Sequence, residues 1–128
     1  MRGRARTTWW GVVIECPDPG ALARFYSEIL GWPIVRDEPN WVVIALNDTD
    51  HYVAFSTSPE YVPPVWPPAD GRQQMMMHLD VEVDDLDAAV AHAIELGATL
   101  ADFQQQKTVR VMLDPAGHPF CLYLDTGE

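Results

Sequence analysis

The chain carries the same pattern twice. The stretch "VVIECPDPGALARFYSEILGW" (12–32) overlays "LDVEVDDLDAAVAHAIELGA" (79–98), matching Asp18 with Asp84, Ala23 with Ala89, Leu30 with Leu96 and Gly31 with Gly97. An internal repeat is read before anything else, because each copy must form the same supersecondary unit. Each copy begins as a strand, continues through an acidic helix start into an amphipathic helix, and ends on glycine. Asp18 before Pro19 is an N-cap followed by the one helical position where a missing N–H costs nothing. Leu22, Phe25, Tyr26 and Ile29 then fall on one stripe, and Gly31 suits the left-handed residue after a helix. In the second copy Asp84 or Asp85 caps, and Leu86, Ala89, Val90 and Ala93 form the stripe. His92 falls on the solvated face.

Strand-like segments follow each helix. They are "IVRDE", "WVVIALN" and "HYVAFST" in the first copy, and "TLADFQQ", "TVRVMLD" and "PFCLYLD" in the second. Turn residues in "LNDTDHY" and "LDPAGHPF" separate them and place His51 and His118 in solvated hairpin turns. Each module therefore reads βαβββ, an α+β pattern with largely antiparallel pairing after the helix. Module 1 spans about 9–57 and module 2 about 75–126 of a single domain. Between them "SPEYVPPVWPPADGRQQ" is too rich in proline for a central strand and reads as a linker or lid.

Charge narrows the partners. A net charge of −11 over 128 residues would be repelled by a phosphate backbone or an anionic membrane surface. Three of the eight basic residues, Arg2, Arg4 and Arg6, sit in a short N-terminal tail, so the body is more acidic still. No apolar run of about 18 residues exists to span a membrane. The N-terminus has no apolar stretch of the secretory kind. Cys16 and Cys121 lie far apart with no CxxC spacing, which fits a reduced, cytoplasmic setting. These features leave a small molecule and a second copy of the chain as the expected partners, without nucleic acid or membrane.

The stretches "FYSEILGW", "MHLDVEVDDLDAAVAHAIELGA" and "LDPAGHPFCLYL" resemble the vicinal oxygen chelate superfamily of glyoxalase, bleomycin-resistance and extradiol dioxygenase proteins. They look closest to its small bacterial glyoxalase-like domain members, over roughly residues 10–125. The resemblance implies two βαβββ modules forming half-barrels around a central cavity, and a homodimer. It also implies metal ligands on the first and last strands of each module. By position these fall on His78 and near Cys121 in module 2, and on Gly11 or Val12 and near Phe55 in module 1. Only His78 keeps an inherited ligand type, so no metal site and no cofactor are expected; a divalent metal is the weaker expectation.

Strand alternation then sorts the faces. Leu79, Val81 and Val83 belong under the second helix, which turns His78, Asp80 and Glu82 to the cavity. Val12, Ile14 and Cys16 belong under the first helix, leaving Gly11, Val13 and Glu15 on the cavity side. "WVVIALN" puts Val42, Ile44 and Leu46 inside and Trp41 on the cavity wall. "TVRVMLD" is read with Arg110 and Met112 facing the cavity. The expected ligand-binding set is thus Glu15, Trp41, Phe55, His78, Arg110, Met112, Cys121 and Tyr123, with His78 and Asp80 as the candidate catalytic pair. Met75 to Met77 cannot share one strand face, and Trp9, Trp10 and Trp66 read as interface or lid residues. This set points to binding of a small aromatic or planar ligand without a full metal site. The competing reading is a lyase, isomerase or dioxygenase using an atypical metal site or His78 as base.

Overall fold

Two four-stranded mixed sheets, each with one helix, make up the α+β structure. The computed structural model describes residues 1–47 and 49–127. The chain divides into two compact units, Met1–Tyr61 and Val62–Glu128. The first holds β1 (Trp10–Cys16), α1 (Pro19–Leu30), β2 (Ile34–Glu38), β3 (Trp41–Ile44) and β4 (His51–Thr57). The second holds β5 (Asp80–Glu82), α2 (Leu86–Glu95), β6 (Thr99–Leu100), β7 (Val109–Leu113) and β8 (Pro119–Tyr123). Strand orders are β1-β4-β3-β2 and β5-β8-β7-β6, so each unit is one βαβββ module. The first strand of each module pairs parallel to the last, and the other pairs are antiparallel. No helix among the described residues is long and apolar enough to cross a membrane.

The helix ends follow local chemistry. Asp18 accepts from the Ala21 N–H at 3.1 Å with Pro19 behind it, and Gly31 closes α1 at φ +70°. Asp85, not Asp84, caps α2, accepting from the Ala88 N–H at 3.0 Å. The two caps are therefore one residue further apart than the sequence overlay suggests. On the structural alignment His78 corresponds to Gly11, Asp80 to Val13 and Cys121 to Ala54, since Val13 pairs with Ala54 as Asp80 pairs with Cys121.

Burial on the helix side builds each core. Leu22, Phe25 and Tyr26 of α1 are buried with Val42, Ile44, Val53 and Phe55 of the sheet. Tyr26 stacks on Phe55 at 5.7 Å between centroids with 12° between planes. Phe55 was expected on the cavity wall; its register with Ile14 and Val42 instead turns it under α1. Leu46 was expected inside but is exposed, because β3 ends at Ile44 and the alternation ends with it. In the second unit Met112, Phe120 and Leu122 form the corresponding layer with Leu86 and Ala93 of α2.

Two expected elements take other forms. "TLADFQQ" pairs as a strand only at Thr99 and Leu100. Beyond Ala101 the Gln104 side chain replaces the ladder: its Nε2 donates to the Ala101 and Val111 carbonyls, and its Oε1 accepts from the Val111 N–H, all at 2.8 Å. One side-chain amide thus satisfies backbone groups that a longer strand would have paired. The proline-rich stretch is also anchored within the second unit. Val65 N–H donates to the Gln73 carbonyl at 3.1 Å, and the Trp66 indole donates to the Phe103 carbonyl at 3.0 Å.

Candidate functional site

The face of the second sheet turned away from α2 gathers the chemistry. Asp80 and Cys121 are in-register neighbours on β5 and β8, and Val111 lies beside Cys121 on β7. His78, just before β5, reaches its Nε2 to 3.1 Å from Asp80 Oδ1. One ligating atom each from His78, Asp80 and Cys121 lie within 4.8 Å of one another. The alternation of His78, Asp80 and Glu82 with apolar neighbours thus produces a built cluster.

A cavity of about 150 Å³ lies against this cluster. His78, Cys121, Val109, Val111 and Pro119 line it from the sheet. Trp66 and Met75 supply further wall, with 104–106 at its margin. Met75 is half-buried while Met76 and Met77 are exposed, so the three methionines do split.

Cys121 is held as a thiol. Partial burial, the Asp80 charge and a hydrogen bond to Asp80 together push it from 9.0 up to about 11. Asp80 thus lies between the imidazole and the thiol. A nucleophilic cysteine needs a base or cation that favours thiolate; here the nearest charge opposes it. The arrangement holds a proton on sulfur and does not activate a nucleophile.

Several expected site residues lie elsewhere. Met112 is fully buried and pairs with Phe120 on the helix side of the sheet. Arg110 pairs with Leu122 on that same side. Its Nη1 donates to the carbonyls of Gln106, Lys107 and Val109 at 3.2, 3.1 and 2.8 Å. The phase of β7 is thus opposite to the expected one: Val109 and Val111 face the cavity. Tyr123 shares the Cys121 face, beside Glu82, but does not wall the cavity. Glu15 and Trp41 belong to the first unit, both in register with Ser56 on the sheet face away from α1.

In the first unit the positions equivalent to the donor cluster, Gly11, Val13 and Ala54, offer no ligating side chain. Gly11 lies beneath the Tyr52 ring, its in-register neighbour, where an added Cβ would overlap the ring. An aromatic ring covering a strand glycine is a packing device, and here it occupies the place that His78 holds in the second unit.

The remaining histidines differ from one another. His92 is exposed as expected. His118 was expected to be solvated, but its Nδ1 sits 2.8 Å from Oδ2 of the buried Asp114. That carboxylate also accepts from the Ala116 and His118 N–H groups at 2.9 and 3.0 Å. The turn "DPAGH" therefore needs both side chains, because a buried carboxylate must be satisfied. His51 was likewise expected in a solvated turn; it opens β4 with its ring 5.7 Å from Trp10 and 5.3 Å from Trp32. Trp66, Met75, Gln104, Val109 and Val111 were missed as site residues. Only the β-branched pair at 109 and 111 carried a signal, as an alternative strand phase.

Comparison with known proteins follows the same lines. The chain is similar to a glyoxalase/bleomycin resistance protein/dioxygenase family enzyme from Burkholderia phytofirmans PsJN, at 19% identity and TM-score 0.66, covering 94% of this chain and 98% of that one. It is similar to the fosfomycin resistance protein FosX from Mesorhizobium loti, at 14% identity and TM-score 0.65, covering 91% of each. TnmS3, an antibiotic binding protein from Streptomyces sp. CB03234, aligns at 18% identity and TM-score 0.58, covering 98% of this chain and 100% of that one. At these identities the likeness is one of fold. No curated protein matches the chain. A family described as "Glyoxalase-like domain" matches residues 11–123, nearly the whole chain. With its doubled βαβββ order, the chain belongs to the glyoxalase-like domain family.

Proposed function

We propose that the chain binds a small aromatic or planar organic molecule in the cavity of its second unit. The observation that carries this reading is the 150 Å³ cavity, with Trp66, Met75 and two valines as apolar wall and His78 with Cys121 as its polar end. Apolar walls with a few convergent polar groups are the usual composition of ligand sites. Neighbours of the same fold that are named for antibiotic binding and fosfomycin resistance are in keeping with it. Trp66 supplies flat surface, and His78 orients the ligand through the pair it makes with Asp80. Of the expected contacts, His78 and Cys121 wall this cavity; Phe55, Arg110 and Met112 take no part, because packing and hydrogen bonds already use them. Replacing Trp66 by Ala should weaken any ligand found by fluorescence screening by about 2 kcal/mol or more, as an aromatic anchor does. His92→Ala should leave the isotherm unchanged. Equal affinity for Trp66→Ala and parent would sink the assignment.

The donor cluster favours a second reading, metal-assisted lyase, isomerase or dioxygenase chemistry. His78, Asp80 and Cys121 offer imidazole, carboxylate and sulfur close enough to converge on one ion. They would hold it from one unit alone, since Gly11, Val13 and Ala54 add nothing. A bound ion would polarise a substrate oxygen as a Lewis acid. Cys121 would have to release its proton, and His78 would keep its ring in place through the cluster. Cobalt(II) titration tests this without an activity assay: one ion per chain, with a thiolate-to-cobalt absorption band lost in Cys121→Ala, supports it. No band at millimolar cobalt removes it and leaves the binding reading standing.

A further inference from the structure

The charges around the cavity say what kind of small molecule it takes. We propose that the second-unit cavity selects a single-ring ligand carrying a positive charge, with Asp80 as its counter-ion and Trp66 as its ring partner. The inference rests on the reading of that cavity as a ligand site and adds the size and charge of the occupant.

Size comes from the volume. An apolar cavity of roughly 150 Å³ is enough for benzene, so a cavity of about 150 Å³ takes one aromatic ring. A small polar head would extend toward His78 and Cys121.

Charge comes from the inventory. Among the described residues that line the cavity there is no lysine or arginine. Arg110, the cation nearest in sequence to the lining valines, starts on the other side of the sheet and is committed to the loop carbonyls of Gln106 and Lys107 and to that of Val109. Gln104 spends its amide on Ala101 and Val111, so it offers an anion little. The one ionic pair at the polar end is His78 with Asp80. With a charged imidazole the pair is net neutral, and with a neutral imidazole it is net negative. In neither state does it present net positive charge to an anion. Asp80 does not itself wall the cavity but stands 3.1 Å from His78 Nε2 at its polar end, with 58% of its side chain accessible, so a cationic head projecting past His78 meets a carboxylate that is not buried. Cationic heads also gain from the face of an indole, which makes Trp66 favourable to charge as well as to the ring.

Benzamidine, benzamide and benzoate test this, because they share one shape and differ in charge. Each is titrated into the full chain by calorimetry, in low-salt buffer containing chelator so that no metal neutralises Asp80. The expected order is benzamidine tightest and benzoate weakest, with at least about a tenfold gap between them, the size expected of a local electrostatic preference at low salt. Asp80→Asn should shrink that gap to about twofold, read as the ratio of the two constants so that any loss of His78 orientation common to all three ligands cancels. Trp66→Ala should weaken benzamidine at least tenfold, which separates the cavity from general attraction to an acidic surface. Benzoate binding as tightly as benzamidine, or a gap that Asp80→Asn does not move, overturns the charge assignment and leaves the cavity as a ligand site. Benzamidine binding that survives Trp66→Ala overturns the placement. If none of the three binds, the cavity is not a one-ring site, and the proposal falls with the reading beneath it.

Discussion

Cys121 is expected to alkylate at pH 8 about tenfold more slowly than an ordinary exposed thiol. Raising the thiol from 9.0 to about 11 cuts its thiolate population at pH 8 about a hundredfold. The higher basicity of the remaining thiolate returns part of that, about tenfold at the usual sensitivity of nucleophilicity to basicity. The rate should still climb between pH 10 and 11, where a cysteine of ordinary value 9.0 has levelled off. Asp80→Asn removes the charge while keeping an acceptor oxygen, so it should speed the reaction and lower the levelling pH part of the way, burial still holding the thiol up. Peptide-resolved mass spectrometry with iodoacetamide reads Cys121 apart from the fully buried Cys16. A plateau by pH 10 in the parent would show that neither burial nor Asp80 holds the proton on the sulfur. The linkage has a definite sign. From pH 9 to about 11 the folded thiol keeps a proton that the unfolded thiol releases, so this contribution to stability is lost as pH rises through that window.

Phe55→Ala should cost about 3–5 kcal/mol of stability, the range for deleting a fully buried phenyl ring. The residue is 0% exposed and stacked on Tyr26, so truncation leaves a cavity between α1 and the sheet. Trp41→Ala, on the opposite face of the same sheet and only half-buried, should cost much less, about 1 kcal/mol. Urea unfolding of both variants measures the difference. A Phe55→Ala loss below about 1 kcal/mol would mean that the ring is not part of the core, contrary to the register that places it beneath α1.

The two strands that were read differently share one cause. β5 was legible because its faces differ: Val81 and Val83 are apolar, while His78, Asp80 and Glu82 are polar. In β7 both faces carry apolar residues, Val109, Val111 and Leu113 on one and Met112 beside Arg110 on the other, so period-2 alternation fixes its phase less firmly. The phase was set by the partner strand, where Phe120 and Leu122 claim the helix side and draw Met112 and Arg110 with them. Phe55 has the same ambiguity in "YVAFST", where Val53 and Phe55 compete with Tyr52 and Ala54 for the covered face. His118 and His51 looked solvated because each stands in a turn-rich stretch, yet His118 meets a carboxylate four residues back that the fold buries, and His51 meets two indoles remote in sequence.

What the amino-acid sequence by itself determined is everything that depends on neighbours within a few residues. Asp18–Pro19 starts the first helix, the Asp84–Asp85 pair starts the second, Gly31 stops the first, and the repeated order of elements dictates two βαβββ modules. The pairing of His78 with Asp80 belongs here too, since residues two apart on an extended chain share a face. What only the tertiary structure decided is which side of each ambiguous strand meets a helix, and what closes around His78. Cys121 reaches Asp80 through a parallel pairing between strands about 40 residues apart, and Trp66 reaches the cavity through one hydrogen bond to Phe103. Contacts of that kind carry no local pattern. They form because burying Phe120, Leu122 and Met112 under α2 leaves one register for β8 and β7, and the opposite face inherits its residues from that choice.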